Sequence, residues 1–153
     1  MLCALMLATL GAVGGASPRD SDTAAPRAAF EHFIQVFNAL DWDAFRGCFA
    51  DDASVFNPDI PEVASLHRLD GREAFERTFH GVFDAGHLGD APVGPHIVPE
   101  NVRLQRFDST AIVTFEFKRA GASFGRRTVV LHQEHGAWLI VHIHASNVTG
   151  VRP

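Results

Sequence analysis

At 153 residues the chain has the length of one domain, enough to bury roughly two-thirds of its unfolded surface, and 46% hydrophobic with 20% charged residues is an ordinary globular balance. A net charge of -5 with histidine neutral gives a nucleic-acid partner no electrostatic support, and Arg126-Arg127 is too short a basic run to track a polyanion. The aromatics are 13 Phe and 2 Trp with no Tyr, so no phenolic hydroxyl is available to any mechanism.

Residues 1–16 form an apolar run that closes on Gly14, Gly15 and Ala16. The run is too short to span a bilayer and has the pattern of a secretory signal peptide cleaved before Ser17. It lacks a basic lead-in, and a true start slightly upstream is the expectation that follows. The expectation is a periplasmic or secreted protein whose mature form has no membrane partner. Cys3 leaves with the leader, and Cys48 stays as a lone thiol on an apolar helical stripe, buried and inert, with no internal disulfide.

Residues 17–26, rich in Pro, Asp, Ser and Thr, read as a linker. A first helix is predicted over 26–39, with Pro26 in its first turn and Phe30, Phe33, Ile34 and Phe37 on one face. Asp41 caps a second helix with the stripe Trp42, Phe45, Cys48 and Phe49, which ends at Asp51-Asp52. A strand over 53–57 stops at Pro58, and residues 58–69 cross irregularly with an extended piece at 66–69. Asp70 and Glu73 have capping-box spacing for a third helix, which carries Phe75, Thr78, Phe79, Val82 and Phe83 on one face. The Gly/Pro-rich residues 86–95 end it.

Period-two patterning then predicts strands over 101–107, 110–118, 123–134 and 137–147. They join at Asp108-Ser109, Ala120-Gly121 and His135-Gly136, and joins that short demand antiparallel neighbours. The fold class is therefore α+β, three N-terminal helices packed on a curved antiparallel β-sheet, with the early strand free to join an edge.

Four segments in this order resemble a known family. Residues 37–43 and 49–53 are similar to the helical opening of SnoaL-like domains, and Leu69-Asp70-Gly71-Arg72-Glu73-Ala74-Phe75 to their third-helix entry. Arg126-Arg127-Thr128 and residues 138–146 are similar to their last two strands, and the latter also resembles the association domain of calmodulin-dependent kinases. SnoaL-like domains belong to the nuclear-transport-factor-2-like superfamily, which includes the ketosteroid isomerases. The resemblance implies a cone-shaped domain over 27–150 with a cavity open at one end, and often a homodimer packed through the sheets. Activity does not travel with this fold, because the superfamily hosts enzymes and non-catalytic binders alike.

Ketosteroid isomerases place a carboxylate base just before a proline on the first strand and a tyrosine on the first helix. The matching positions here are Asn57 and Phe33, which supply neither a base nor an oxyanion donor, so steroid-type isomerisation is not expected. A two-residue hairpin at His135-Gly136 would put Arg127 on one face with His142 and His144. Extending that register across Ala120-Gly121 adds Glu116, giving a polar strip of Glu116, Arg127 and His144 beside His142, with Asn57 across the mouth. Ser146 shares that face, and Trp42 is a core or pocket-wall aromatic.

In the functional reading His142 or His144 carries protons while Arg127 holds an anionic group; in the structural one the same groups satisfy each other in the core. His142 and His144 could meet an ion with His80, His96 or His132, but no acidic or cysteine partner stands at ligand spacing, so no metal and no cofactor are expected. The leading expectation is an exported domain binding a small apolar or weakly anionic molecule. The alternatives are a cofactor-independent isomerase, cyclase or hydratase using a pocket histidine, and a structural dimerisation module.

Overall fold

The structure is a computed structural model in which residues 18–57, 68–86, 96–119 and 123–149 are described. The expected leader at 1–16, most of the crossing at 58–69, the stretch at 87–95 and the turn at Ala120-Gly121 lie outside the described residues.

Helix α1 (Pro18–Asn38) begins well before residue 26, so the expected linker at 17–26 is helical from Pro18 onward. Pro26 shows how. A proline inside a helix lacks the N–H that would bond the carbonyl four residues back, here that of Asp22. Arg106 supplies the donor instead: its Nη1 donates to the Asp22 carbonyl and pairs with the Asp22 carboxylate at 2.7 Å. Pro26 itself is buried.

The helix ends on Leu40, which takes a left-handed φ of 55°. Leu40 N–H donates to Phe37 O (3.1 Å) and Asp41 N–H to Val36 O (3.0 Å), the two bonds of a Schellman end. A leucine is strained in this conformation, and burying its side chain in the core offsets the strain.

Helix α2 (Trp42–Arg46) has Asp41 as its N-cap, as expected, with the carboxylate accepting from Ala44 N–H at 3.0 Å. It stops at Gly47 rather than at Asp51-Asp52. The sheet takes over there: Ile140 N–H donates to Cys48 O (2.8 Å) and Phe49 pairs with Ile140, so strand β1 (Phe49–Phe56) starts at Phe49 instead of residue 53. Strand β2 (Leu69–Asp70) runs straight into helix α3 (Gly71–Gly86) through Gly71, whose φ of 76° makes the turn. Asp70 and Glu73, expected as a capping box, instead engage Arg68 (2.6 Å) and Arg77 (3.3 Å). Arg72 ties the start of this helix to the rest. It pairs with Asp51 and Glu76 and donates to the carbonyls of Arg46 and Phe49.

Four long strands complete the chain: β3 (Glu100–Phe107), β4 (Thr110–Arg119), β5 (Ser123–Glu134) and β6 (Ala137–Thr149). His135 and Gly136 both have positive φ, which suits a two-residue hairpin turn. The sheet order is β2-β1-β6-β5-β4-β3. All neighbours are antiparallel except β1, which lies parallel to β6 and carries β2 at the edge. The early strand joins the β6 edge of the four-strand meander, as expected, and so lies beside the last strand.

The helices cover one face of this sheet. Phe45 sits at the centre of the core among the rings of Phe33, Phe49, Phe75 and Phe83, with centroids 4.6 to 5.7 Å away. Each buried Phe side chain contributes on the order of 1.5–3 kcal/mol relative to exposure.

Candidate functional site

The core does not fill the cone. Between α1, α3 and the sheet lies a cavity of about 300 Å³, at the lower end of the range for ligand sites. Its wall is aromatic and aliphatic: six phenylalanines, 33, 37, 45, 79, 115 and 117, with Val55, Val82, Ile97, Val129, Ile143 and Ala145. Two polar side chains interrupt that wall, Asn57 and Arg127.

Strand register explains why these two meet there. Arg127 pairs with Ala145 on β6, and Asn57 lies one residue past the Phe56–His144 pair, beside Ala145 from the other side. Asn57 and Arg127 are thus two strand spacings apart, about 9–10 Å between backbones, with a small residue between them. The Arg127 guanidinium is held from behind. Its Nη1 donates to the carbonyls of Arg126 (2.9 Å) and Ser146 (3.0 Å), and the group lies 4.8 Å over the Phe117 ring. Ile97 is fixed differently. The Asn38 amide donates to Ile97 O and accepts from Ile97 N–H, both at 2.8 Å, so one side chain imitates a strand partner and pins the wall.

The expected polar strip is not assembled. From Glu134–Ala137 to Leu131–Ile140 the hairpin keeps the expected pairing, but Val130 then pairs with His142, leaving Val141 as a bulge. One extra residue sends every later side chain of β6 to the opposite face. Ile143 and Ala145 therefore turn toward the cavity, while His142, His144 and Ser146 turn to the outer side of the sheet. There His142 Nδ1 and Ser54 Oγ share a hydrogen bond of 2.9 Å, and the Phe56 ring lies 5.7 Å from His144. Burial, then the charges of His144 and Arg68, lower the His142 pKa from its ordinary value, with a hydrogen bond to the Ser54 backbone opposing.

A second slip removes Glu116. Arg119 pairs with Ser123, so three residues rather than two separate β4 from β5, and Glu116 pairs with Arg126 instead of sharing a face with Arg127. It lies outside the cone, 3.8 Å from the Arg126 Nε and bonded to Asn101 Nδ2 at 3.0 Å. Trp42 is also no cavity residue: it stacks on Phe75 and meets the His80 ring edge-on, 5.0 Å away. His80 pairs with Asp84 (2.8 Å), His132 bonds Thr110 (3.2 Å) on the outer face, and among the described residues no cluster of three His, Cys, Asp or Glu side chains could hold a metal ion.

Asn57 and Phe33, the positions that match the isomerase base and tyrosine, both do line the cavity. An amide and a phenyl ring stand where proton transfer would need an acid and a base. Arg127 stays protonated at any working pH. Among the described lining residues, no side chain titrates near neutrality. The arrangement suits holding a molecule more than moving its protons.

Sequence reasoning missed Phe117 and Gly125. These residues pair directly across β4 and β5, and the ring lies over the glycine. An isolated glycine inside a strand is itself a sign of close approach.

A family model described as SnoaL-like domain matches residues 27–150. No curated protein matches the sequence. Among solved structures, the chain is similar to a protein of the NTF2-like family from Streptomyces avermitilis, with a TM-score of 0.69 at 17% identity over 86% of this chain and 99% of that one. A ketosteroid isomerase-like protein from Erwinia carotovora atroseptica gives 0.64 at 17% identity, over 86% and 99%. The CaMKII hub of S. rosetta gives 0.62 at 20% identity, over 81% and 95%. At these identities the likeness is one of fold.

Proposed function

The chain belongs to the SnoaL-like domain family, and on that premise we propose that its cone binds one small, mainly apolar molecule whose polar end meets Asn57 and Arg127. The observation that carries this reading is the cavity of about 300 Å³ with an apolar wall and two polar side chains on one row of the sheet. A filled core would have left no such space. A cavity lined by carbon excludes competing water, and a few fixed polar groups then orient what enters. Acid–base chemistry by His142 or His144 is not part of the proposal, because the bulge at Val141 turns both away from the cavity.

Native mass spectrometry of the full chain tests the reading, with calorimetric titration by phenylbutanol as a neutral probe. The expected result is a retained small molecule, or saturable phenylbutanol binding at one site per chain. A protein that carries nothing and takes up no phenylbutanol overturns it. The same spectrum gives the subunit count. We propose a homodimer packed through the outer sheet face, where Ile112, Val130 and Leu139 stand half-exposed in neighbouring positions. Export is likewise a proposal, resting on the apolar run of residues 1–16; the mass of the mature chain tests it.

A further inference from the structure

We infer that Gly125 determines what the cavity accepts: by leaving room for the Phe117 ring it seats the Arg127 guanidinium at the wall, and so selects molecules that end in a carboxylate. The inference rests on the cavity being a binding site and adds the class of ligand and the residue that sets it.

A Cβ built on Gly125 would collide with Cε1 and Cζ of Phe117, at separations real Cβ atoms do not reach. The constraint is one of space. Gly125 and Phe117 are direct cross-strand partners, and Arg127 is two residues along β5 on the same face. The ring therefore lies across the strand backbone and presents its face to the guanidinium, 4.8 Å away. With Nη1 also held by the Arg126 and Ser146 carbonyls, the group is fixed on two sides. A fixed, planar guanidinium in an apolar wall matches a carboxylate by paired, charge-assisted hydrogen bonds, which low polarity strengthens. Asn57, on the same row beyond Ala145, can donate to the same end of the ligand. Because the obstructing atoms are the far end of a side chain, a methyl at residue 125 displaces the ring and leaves the sheet standing.

The test is calorimetric titration of the full chain with phenylbutyrate and phenylbutanol, two probes of the same shape that differ in charge. The unaltered protein should prefer the acid by about tenfold or more, the scale of a charge-assisted pair. Gly125→Ala should lower the preference for the acid, read as the ratio of the two affinities in the same variant, to about threefold or less. Arg127→Gln should show no preference. Should Gly125→Ala fail to fold, Phe117→Leu removes the same ring without adding atoms and should give the same loss. An unchanged preference in Gly125→Ala, or in Phe117→Leu where that variant decides, overturns the role of Gly125. Binding of both probes equally by the unaltered protein overturns the carboxylate class while sparing the cavity reading. Binding of neither overturns both.

Discussion

His142 and Cys48 are two side chains whose surroundings set their titration. His142 sits between β1 and β5 on the outer sheet face, and burial, then His144 and Arg68, hold its pKa below the ordinary 6.5. A histidine depressed in this way binds its proton more readily in the unfolded chain. Its share of stability is therefore complete above about pH 6.5 and is lost as the pH falls through that value toward the lower folded one. Urea denaturation at a series of pH values should show stability falling on acidification, with a smaller fall in His142→Gln. Equal falls would mean that other groups carry the acid sensitivity. Cys48 is pushed up to about 11 by burial, and its Sγ–H faces the Ala44 carbonyl at 3.4 Å. At mildly alkaline pH, Cys48 in the native protein should react with iodoacetamide roughly a hundredfold more slowly than Cys48 in the urea-unfolded chain, because so little thiolate forms. Comparable rates would contradict the buried placement.

At the scale of elements, short local contacts were legible and long registers were not. The Asp41 cap, the α1 phenylalanine face and the ends of β5 could be read from spacing, because each depends on residues within one turn or one hairpin. The face of His142 depends on a bulge at Val141, and that of Glu116 on one extra residue in a connection; neither leaves a mark in a pattern of alternating apolar residues. Pro26 was read as a helix start because its remedy, Arg106, lies on another element. Asn38 belongs to the same class. Its two bonds to Ile97 span 59 residues, and no motif announces them. Asn38→Ala should cost about 2 kcal/mol in denaturant unfolding, from two lost hydrogen bonds to backbone. It should also weaken phenylbutanol binding, because Ile97 is cavity wall. A stability loss with unaltered binding would separate the clamp from the site.

For the molecule as a whole, the question is whether the space in the cone is kept open for use. A protein that needed only stability would fill it, since each buried methylene contributes on the order of 0.8 kcal/mol. Here the sheet positions facing the cavity are uneven: Phe115 and Phe117 are large, while Ala145 is small and stands between the two polar residues. Ala145→Leu tests the point, because its added carbons would project between Arg127 and Asn57 into the void. Thermal unfolding should then be unchanged or shifted up by a few degrees, as cavity filling commonly does. Phenylbutanol affinity should drop by more than about tenfold, the cost of losing the space that a ligand's own carbons would occupy. Stability and binding moving in opposite directions is the behaviour of a site held open against packing. Strong destabilisation would instead mean that the side chain has no room to enter, and the cavity would lose its standing as a ligand site.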